Sequence, residues 1–309
     1  MSAIPASVRI VEVGARDGLQ NERTLIPAAT KIELIDRLTA SGLGTIEATS
    51  FVSPRWVPQL ADAAEVYAGI EKKPGVRYPV LVPNLQGYER ARSVGVTEIA
   101  VFTAASEAFN RKNINASIDE SIERFVPVME HARDDGVAVR GYVSTVLGCP
   151  YQGRVPLADV VRVARRLHEL GCYEISLGDT IGIGTPAAAR TMLRAVAAEM
   201  PLGALAVHFH DTRGQALANI LACLEEGVAV VDSSVSGTGG CPFAPGASGN
   251  VASEDVVYML EGMDIATGVD LGRLIETGLW LSAQLGHATS SKVARAATGQ
   301  LRPSGDGSE

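Results

Sequence analysis

Short apolar runs of strand length alternate along this chain with longer stretches whose apolar residues recur at i, i+3 and i+4. The strand-like runs are Val8–Val13, Thr45–Thr49, Tyr78–Val82, Glu98–Phe102, Val137–Val143, Tyr173–Leu177, Leu205–Phe209 and Val230–Val235, eight in all. Between them lie amphipathic stretches at Thr30–Ser41, Leu60–Ile70, Ile118–Asp135, Leu157–Leu170, Pro186–Glu199 and Ala216–Glu226. Gly42, Gly136, Gly171 and Gly227 fit helix C-caps, and Ser117, Asp159 and Pro186 fit helix starts. Eight strand–helix repeats predict an α/β fold of the closed (β/α)8 TIM-barrel type. An open doubly wound sheet is the competing arrangement. Against it, the first strand runs into Gly14–Ala15–Arg16–Asp17–Gly18, which puts charge where a dinucleotide-binding turn carries its glycine fingerprint. After the eighth run come a glycine-rich segment and further helices, from about Ser253 to Thr298. No low-complexity linker divides the chain. Residues 1–301 therefore read as one catalytic domain with a C-terminal helical addition, and 302–309 as a polar, disordered tail.

Composition narrows the class. The chain has 309 residues, 46% of them hydrophobic, which is ample for one large barrel core. Its net charge is −8 and no Lys/Arg run stands out, so a nucleic-acid surface is not expected. No apolar run is long enough to span a membrane, and no secretory signal is visible. Cys149, Cys172, Cys223 and Cys241 lack CxxC spacing, which fits free thiols in a reducing compartment.

The polar exceptions recur at the C-terminal ends of the predicted strands, where barrels keep their working residues. Arg16 and Asp17 follow the first strand. Glu47 lies near the end of the second, Tyr142 and Ser144 close the fifth, Asp179 and Thr180 follow the sixth, and His208 and His210 end the seventh. Two histidines two residues apart in a strand share a face, so their imidazoles converge as a bound cation requires. With only two imidazoles, the remaining ligands must be oxygen, and Asp17 and Asn250 are the candidates at that rim. Such a set suits Mg²⁺ or Mn²⁺, with Zn²⁺ or Co²⁺ as alternatives. His131, His168 and His287 fall in helical stretches and read as surface groups.

Arg16 reads as a fixed cation facing developing negative charge, oriented by Glu47 through a paired contact, with Glu12 a second candidate for that task. Its structural alternative is an ordinary ion pair. Cys241 sits among Gly237, Gly239, Gly240 and Gly246, a setting suited to a closing loop and to acid/base work by the thiol. The other three cysteines read as small buried hydrophobes. Asp179 reads as a group orienting substrate or His208, or else as a turn former; Asp211 reads equally as a helix cap or a site residue.

Several stretches closely resemble the hydroxymethylglutaryl-CoA lyase family of metal-dependent barrel aldolases. They are VEVGARDGLQNE, IEATSFVSPRWVPQLAD, KNINASIDES, GYVSTVLGCPY, GCYEISLGDTIGIGTP, ALAVHFHDTRGQALAN, VDSSVSGTGGCPFAPGASGN and VYMLEGM, spread from Val11 to about Val293. The loop with its cysteine and asparagine is the most specific of these. The resemblance implies metal ligands Asp17, His208, His210 and Asn250, and Arg16 facing a thioester oxygen. It further implies Glu47 and Asp179 as supporting residues and Cys241 as the catalytic thiol. The implied reaction is cleavage of 3-hydroxy-3-methylglutaryl-CoA to acetyl-CoA and acetoacetate, in leucine breakdown and ketone-body metabolism. The proton acceptor would be Asp17 or His208, and the enolate would be protonated by Cys241 or a relayed water.

The expected contacts to the acyl-CoA substrate are Arg16, Gln20, Arg23, Tyr142, Ser144 and Thr180. Arg23 stands where many members carry lysine, with a different donor geometry toward a phosphate or carboxylate. Phe209, between the histidines, is often smaller in relatives and should pack among the helices. The cysteine-bearing tail of animal members and an organelle leader are not seen, so a cytoplasmic bacterial homodimer is expected. Competing readings are a lyase for a longer branched ester such as isohexenylglutaryl-CoA, an isopropylmalate-type condensing enzyme, a metal-dependent hydrolase, and an inactive barrel serving as an interaction protein.

Overall fold

Eight short parallel strands stand side by side in a computed structural model that describes residues 4–240 and 249–300. They are β1 (Arg9–Glu12), β2 (Thr49–Ser50), β3 (Val80–Leu81), β4 (Glu98–Ala104), β5 (Ala138–Ser144), β6 (Glu174–Asp179), β7 (Leu205–Phe209) and β8 (Val230–Ser233). Their order is β1-β8-β7-β6-β5-β4-β3-β2, all parallel. A parallel bridge between Glu12 and Ile46 closes the ring, with Glu12 N–H donating to Thr45 O at 3.0 Å and Glu47 N–H to Glu12 O at 2.8 Å. Every strand thus has two neighbours, as a TIM barrel requires.

The helices are α1 (Ala28–Ala40), α2 (Ala63–Gly69), α3 (Leu85–Ser93), α4 (Glu107–Ile114), α5 (Ile118–Asp134), α6 (Leu157–Leu170), α7 (Pro186–Ala197), α8 (Ala216–Leu224), α9 (Ser253–Glu261), α10 (Leu271–Leu285) and α11 (Lys292–Gln300). Local chemistry explains their ends. Ser117 caps α5 in a reciprocal box with Glu120. Pro186 opens α7, where its missing N–H costs nothing. Gly42, Gly136, Gly171 and Gly227 all take positive φ just past helix ends, which a side chain would resist. Asp159 does not start α6. Pro156 caps it, and Asp159 lies in the first turn, where its charge suits the helix dipole.

Side chains alternate across the barrel wall. Ile10, Ile46, Val80, Ile99, Val139, Ile175, Val207 and Val231 face the helices and join the main apolar core. Val11, Val13, Ala206 and Val230 form one apolar patch in the lumen, and Leu81, Ala100 and Tyr142 another. Phe209 is buried in the outer core, as expected. Polar side chains fill the lumen between these patches.

Two helices, α3 and α4, were not expected from the pattern. α3 buries only Gly87, Tyr88 and Ala91, too few apolar positions to register as a stripe. β2 is shorter than its apolar run because Thr45 and Ile46 pair only through single bridges, and β3 is ladder-paired on both sides only at Val80 and Leu81. The anticipated tail at 302–309 lies outside the described residues, as does Cys241.

Candidate active site

Arg16 and Asp17 sit on a single π-helical turn, Gly14–Gly18, directly after β1. The Val13 carbonyl accepts from Arg16 N–H (3.2 Å), Asp17 N–H (2.7 Å) and Gly18 N–H (3.1 Å), the last of which widens the turn. Such one-turn widenings re-aim side chains and recur at functional positions. The turn packs against the segment after β8. A Cβ on Gly18 would lie 2.3 Å from Thr238 Oγ1, so only glycine permits the approach.

The guanidinium of Arg16 is clamped from two sides. Nε donates to Glu47 Oε2 at 2.7 Å and Nη1 to Asp17 Oδ1 at 2.6 Å. Tyr142 OH donates to the same Glu47 oxygen at 3.3 Å, and the Tyr142 ring lies 5.5 Å from the Arg16 guanidinium carbon. Glu47 is wholly buried, and its Oε1 has no partner. Two carboxylates therefore face one guanidinium at this rim.

Asp17, His208 and His210 each bring one ligand-type atom to within 4.8 Å of the others. The two imidazole centroids are 5.5 Å apart. His210 Nδ1 is buried with no hydrogen-bond partner, a state that is costly unless something accepts its lone pair or proton. Asn250 closes the group. It pairs in an antiparallel bridge with His210, and its Nδ2 donates to Asp17 Oδ2 at 2.8 Å and Thr238 O at 3.1 Å. Gly239, at φ +102, lies so close that a Cβ there would meet Asn250 Nδ2 at 2.6 Å.

The electrostatics divide the group. Burial opposes charge on Asp17, but Arg16, His208 and the Asn250 hydrogen bond overcome it and hold its pKa at about 2. Burial, seconded by His208, pushes His210 down to about 4, so it is neutral at pH 7. For His208 burial is outweighed by the Asp232 hydrogen bond and charge, and its pKa rises. Burial raises Glu47, only partly offset by Arg16. A low carboxylate pKa and a neutral imidazole are the ligand states a divalent ion needs.

Other expected residues fall differently. Glu12 does not orient Arg16. Strand alternation puts it on the helix-facing side with Ile10, where it accepts from Gly14 N–H, Val235 N–H and Ser253 Oγ. Asp179 shares the outward side with Ile175 and Leu177, and its two oxygens accept from Ile183 N–H (3.3 Å) and Gly184 N–H (2.8 Å). The turn-forming role is therefore the one its bonds express. Thr180 Oγ1 accepts from Thr145 N–H at 2.9 Å, and Ser144 and Gln20 are half-buried. Arg23 is exposed and has no ion pair to a described residue. Asp211 accepts from Ala216 N–H at the start of α8 and from Lys292 Nζ. Cys149, Cys172 and Cys223 are buried and free, and burial pushes Cys172 and Cys223 up to about 12.

Sequence reasoning missed Asp232 and Arg140. Asp232 Oδ2 accepts from Ser176 Oγ (2.7 Å), from Arg140 Nη1 (3.1 Å) and from His208 Nδ1 (3.3 Å), while Oδ1 accepts from Arg140 Nη2 (2.7 Å). A lone Asp inside the apolar run Val230–Val235 was the available signal.

Known proteins resemble this chain over nearly its whole length. The chain is 60% identical over 295 residues to the mitochondrial hydroxymethylglutaryl-CoA lyase of Gallus gallus, covering 96% of this chain and 99% of that one. It is 60% identical over 296 residues to the cytoplasmic 3-hydroxy-3-methylglutaryl-CoA lyase of Rattus norvegicus, covering 96% and 86%. The crystal structure of hydroxymethylglutaryl-CoA lyase from Pseudomonas aeruginosa superposes with a TM-score of 0.95 at 59% identity, covering 96% and 99%. The HMGL-like family model matches residues 7–279, and the chain belongs to that family.

Proposed function

We propose that this enzyme, a carbon–carbon lyase, cleaves 3-hydroxy-3-methylglutaryl-CoA into acetyl-CoA and acetoacetate. The observation that carries the reading is Arg16, pinned by Glu47 and Asp17 beside the Asp17–His208–His210 group. In this reaction the tertiary hydroxyl at C3 loses its proton and the C2–C3 bond breaks. Its electron pair moves to the thioester as an enolate, and the oxygen-bearing carbon becomes the ketone of acetoacetate. Arg16 supplies a preset guanidinium to the enolate oxygen, in a pocket where that charge is strongly felt.

Asp17, His208 and His210 would hold a divalent ion, Mg²⁺ or Mn²⁺. Asn250, both of whose amide hydrogen bonds already go to Asp17 and Thr238, has its oxygen as the end available to it. That ion supplies Lewis acidity that makes the substrate hydroxyl easier to deprotonate. Asp17 and His208 are the two candidates to receive the proton. An imidazole has one lone pair and a carboxylate keeps a second oxygen, so Asp17 is the acceptor where both nitrogens of His208 are engaged by Asp232 and the ion. Cys241, or a water it relays, returns a proton to the enolate carbon. Tyr142 and Ser144 in the lumen, with Gln20, Arg23 and Thr180 around the mouth, contact the acyl-CoA, and Arg23 takes a phosphate or carboxylate. Three buried free thiols support a reducing, cytoplasmic location, testable by cell fractionation. A homodimer is proposed, testable by sedimentation.

The test uses chelator-treated protein with divalent cations restored singly, and reads acetyl-CoA release from the methylglutaryl and isohexenylglutaryl esters. Release from the methyl ester with Mg²⁺ or Mn²⁺ is expected. Preference for the longer ester, or turnover indifferent to chelation, overturns the proposal. Cys241→Ala should cut kcat by orders of magnitude with metal content intact.

A further inference from the structure

His208 and Asp232 are register partners on the paired strands β7 and β8, both facing the lumen. Asp232 is fully buried and is itself immobilised. Arg140 grips both of its oxygens, and Ser176, one strand further round, donates to the oxygen that also faces His208. Arg140 is in turn anchored by Glu174 through Nε at 2.7 Å, and Glu174 is also held by Arg9. The chain Arg9–Glu174–Arg140–Asp232–His208 therefore runs along the lumen toward the cation position. His210 has no counterpart, since its Nδ1 is buried without a partner.

We propose that Asp232 is a positioning residue that takes the Nδ1–H of His208, fixing this ring so that Nε2 presents its lone pair to the cation. An ionised carboxylate can only accept, so a hydrogen bond at Nδ1 dictates which nitrogen carries the proton. Arg140 keeps the carboxylate charged and oriented within a dry lumen, where an unpaired aspartate would not persist. The two imidazoles are then unequal, one preset by the barrel and the other free to adjust when the ion arrives. Carboxylates behind metal-binding histidines typically contribute about 10–100-fold in affinity.

This inference rests on the cation reading of the site, and two experiments separate their failures. In the first, chelator-treated wild-type protein and Asp232→Asn are titrated with Mn²⁺ alone, and free Mn²⁺ is read by electron paramagnetic resonance. The expected result is about 10–100-fold weaker binding by the variant. Absence of Mn²⁺ binding by wild type overturns the cation reading, whereas equal affinity in both proteins overturns the role of Asp232 alone. The second experiment needs no fold-sensitive variant of Asp232. Ring-¹⁵N-labelled histidines in the metal-free wild-type protein, with His208 assigned by loss of its signal in His208→Gln, should show the Nδ1–H form. A His208 ring protonated only at Nε2 overturns the proposal.

Discussion

Two polar layers occupy the barrel lumen, and they treat their acceptors differently. In the lower layer both oxygens of Glu174 and both of Asp232 have donors, from Arg9, Arg140 and Ser176. In the upper layer Glu47 Oε1 and His210 Nδ1 are buried without partners. The lower layer also leaves one group alone, Arg9 Nη1, but that is a donor and cannot serve a cation. Buried acceptors are expensive to leave unmatched. On the proposed reading, the upper groups find their partners only when cation and substrate are bound. On that reading one layer is scaffold and the other carries the chemistry.

Substitutions should separate the layers. The largest effect falls on the scaffold. Arg140→Met leaves Asp232 and Glu174 buried without their central cation and should lower unfolding free energy by about 3–5 kcal/mol, measured by denaturant titration. Arg16→Gln should leave the fold nearly intact, because Glu47 can accept a proton instead, yet lower kcat about 10²–10³-fold. If Arg16→Gln destabilises the protein as much as Arg140→Met does, the contrast between the layers fails.

A third test lies outside the lumen. Burial lifts Glu12 to about 7 and Glu254 to about 8, although Glu12 accepts from Ser253 and Val235, and Glu254 from Ser236 N–H. Both values lie above the ordinary 4.5, so the folded chain holds protons that the unfolded chain releases. Their contribution is complete below about pH 4.5 and is lost as pH rises through 7 to 8. Neutral His210 opposes this below pH 6.5, so Tm should fall between pH 6.5 and pH 9, and Glu254→Gln should flatten that fall. A wild-type Tm that rises across this range contradicts the assignment. The smallest effect is expected for Ser176→Ala, which removes one donor from Asp232 while Arg140 remains. It should lower stability by about 1 kcal/mol in the same titration.

The barrel was legible because its signal repeats: each apolar run and each amphipathic stretch carries the same message, and Ser117, Pro186 and Gly171 punctuate it. The rim residues were legible because polar groups at strand ends break an apolar pattern. His208 and His210 share a face by strand geometry alone, and the structure brings Arg16, Asp17, Glu47, Tyr142 and Asn250 to them. What stayed hidden depends on register. That Asp232 stands beside His208, or that Arg140 spans β5, β6 and β8, follows from the stagger of the strands around the ring, which no local pattern encodes. Glu12 and Asp179 show a related limit. Alternation turns both carboxylates toward the helices, which leaves Glu12 unable to orient Arg16 and Asp179 in the turn-forming role that was one of its two readings.

The proposed chemistry needs one divalent ion at the rim beside Arg16. Crystals soaked in Mn²⁺ and recorded for anomalous scattering test it directly. One peak is expected, bonded to Asp17, His208 and His210 at roughly 2.0–2.3 Å from their ligand atoms and within reach of Asn250. A peak elsewhere, or none at this rim in protein that cleaves the ester, would contradict it.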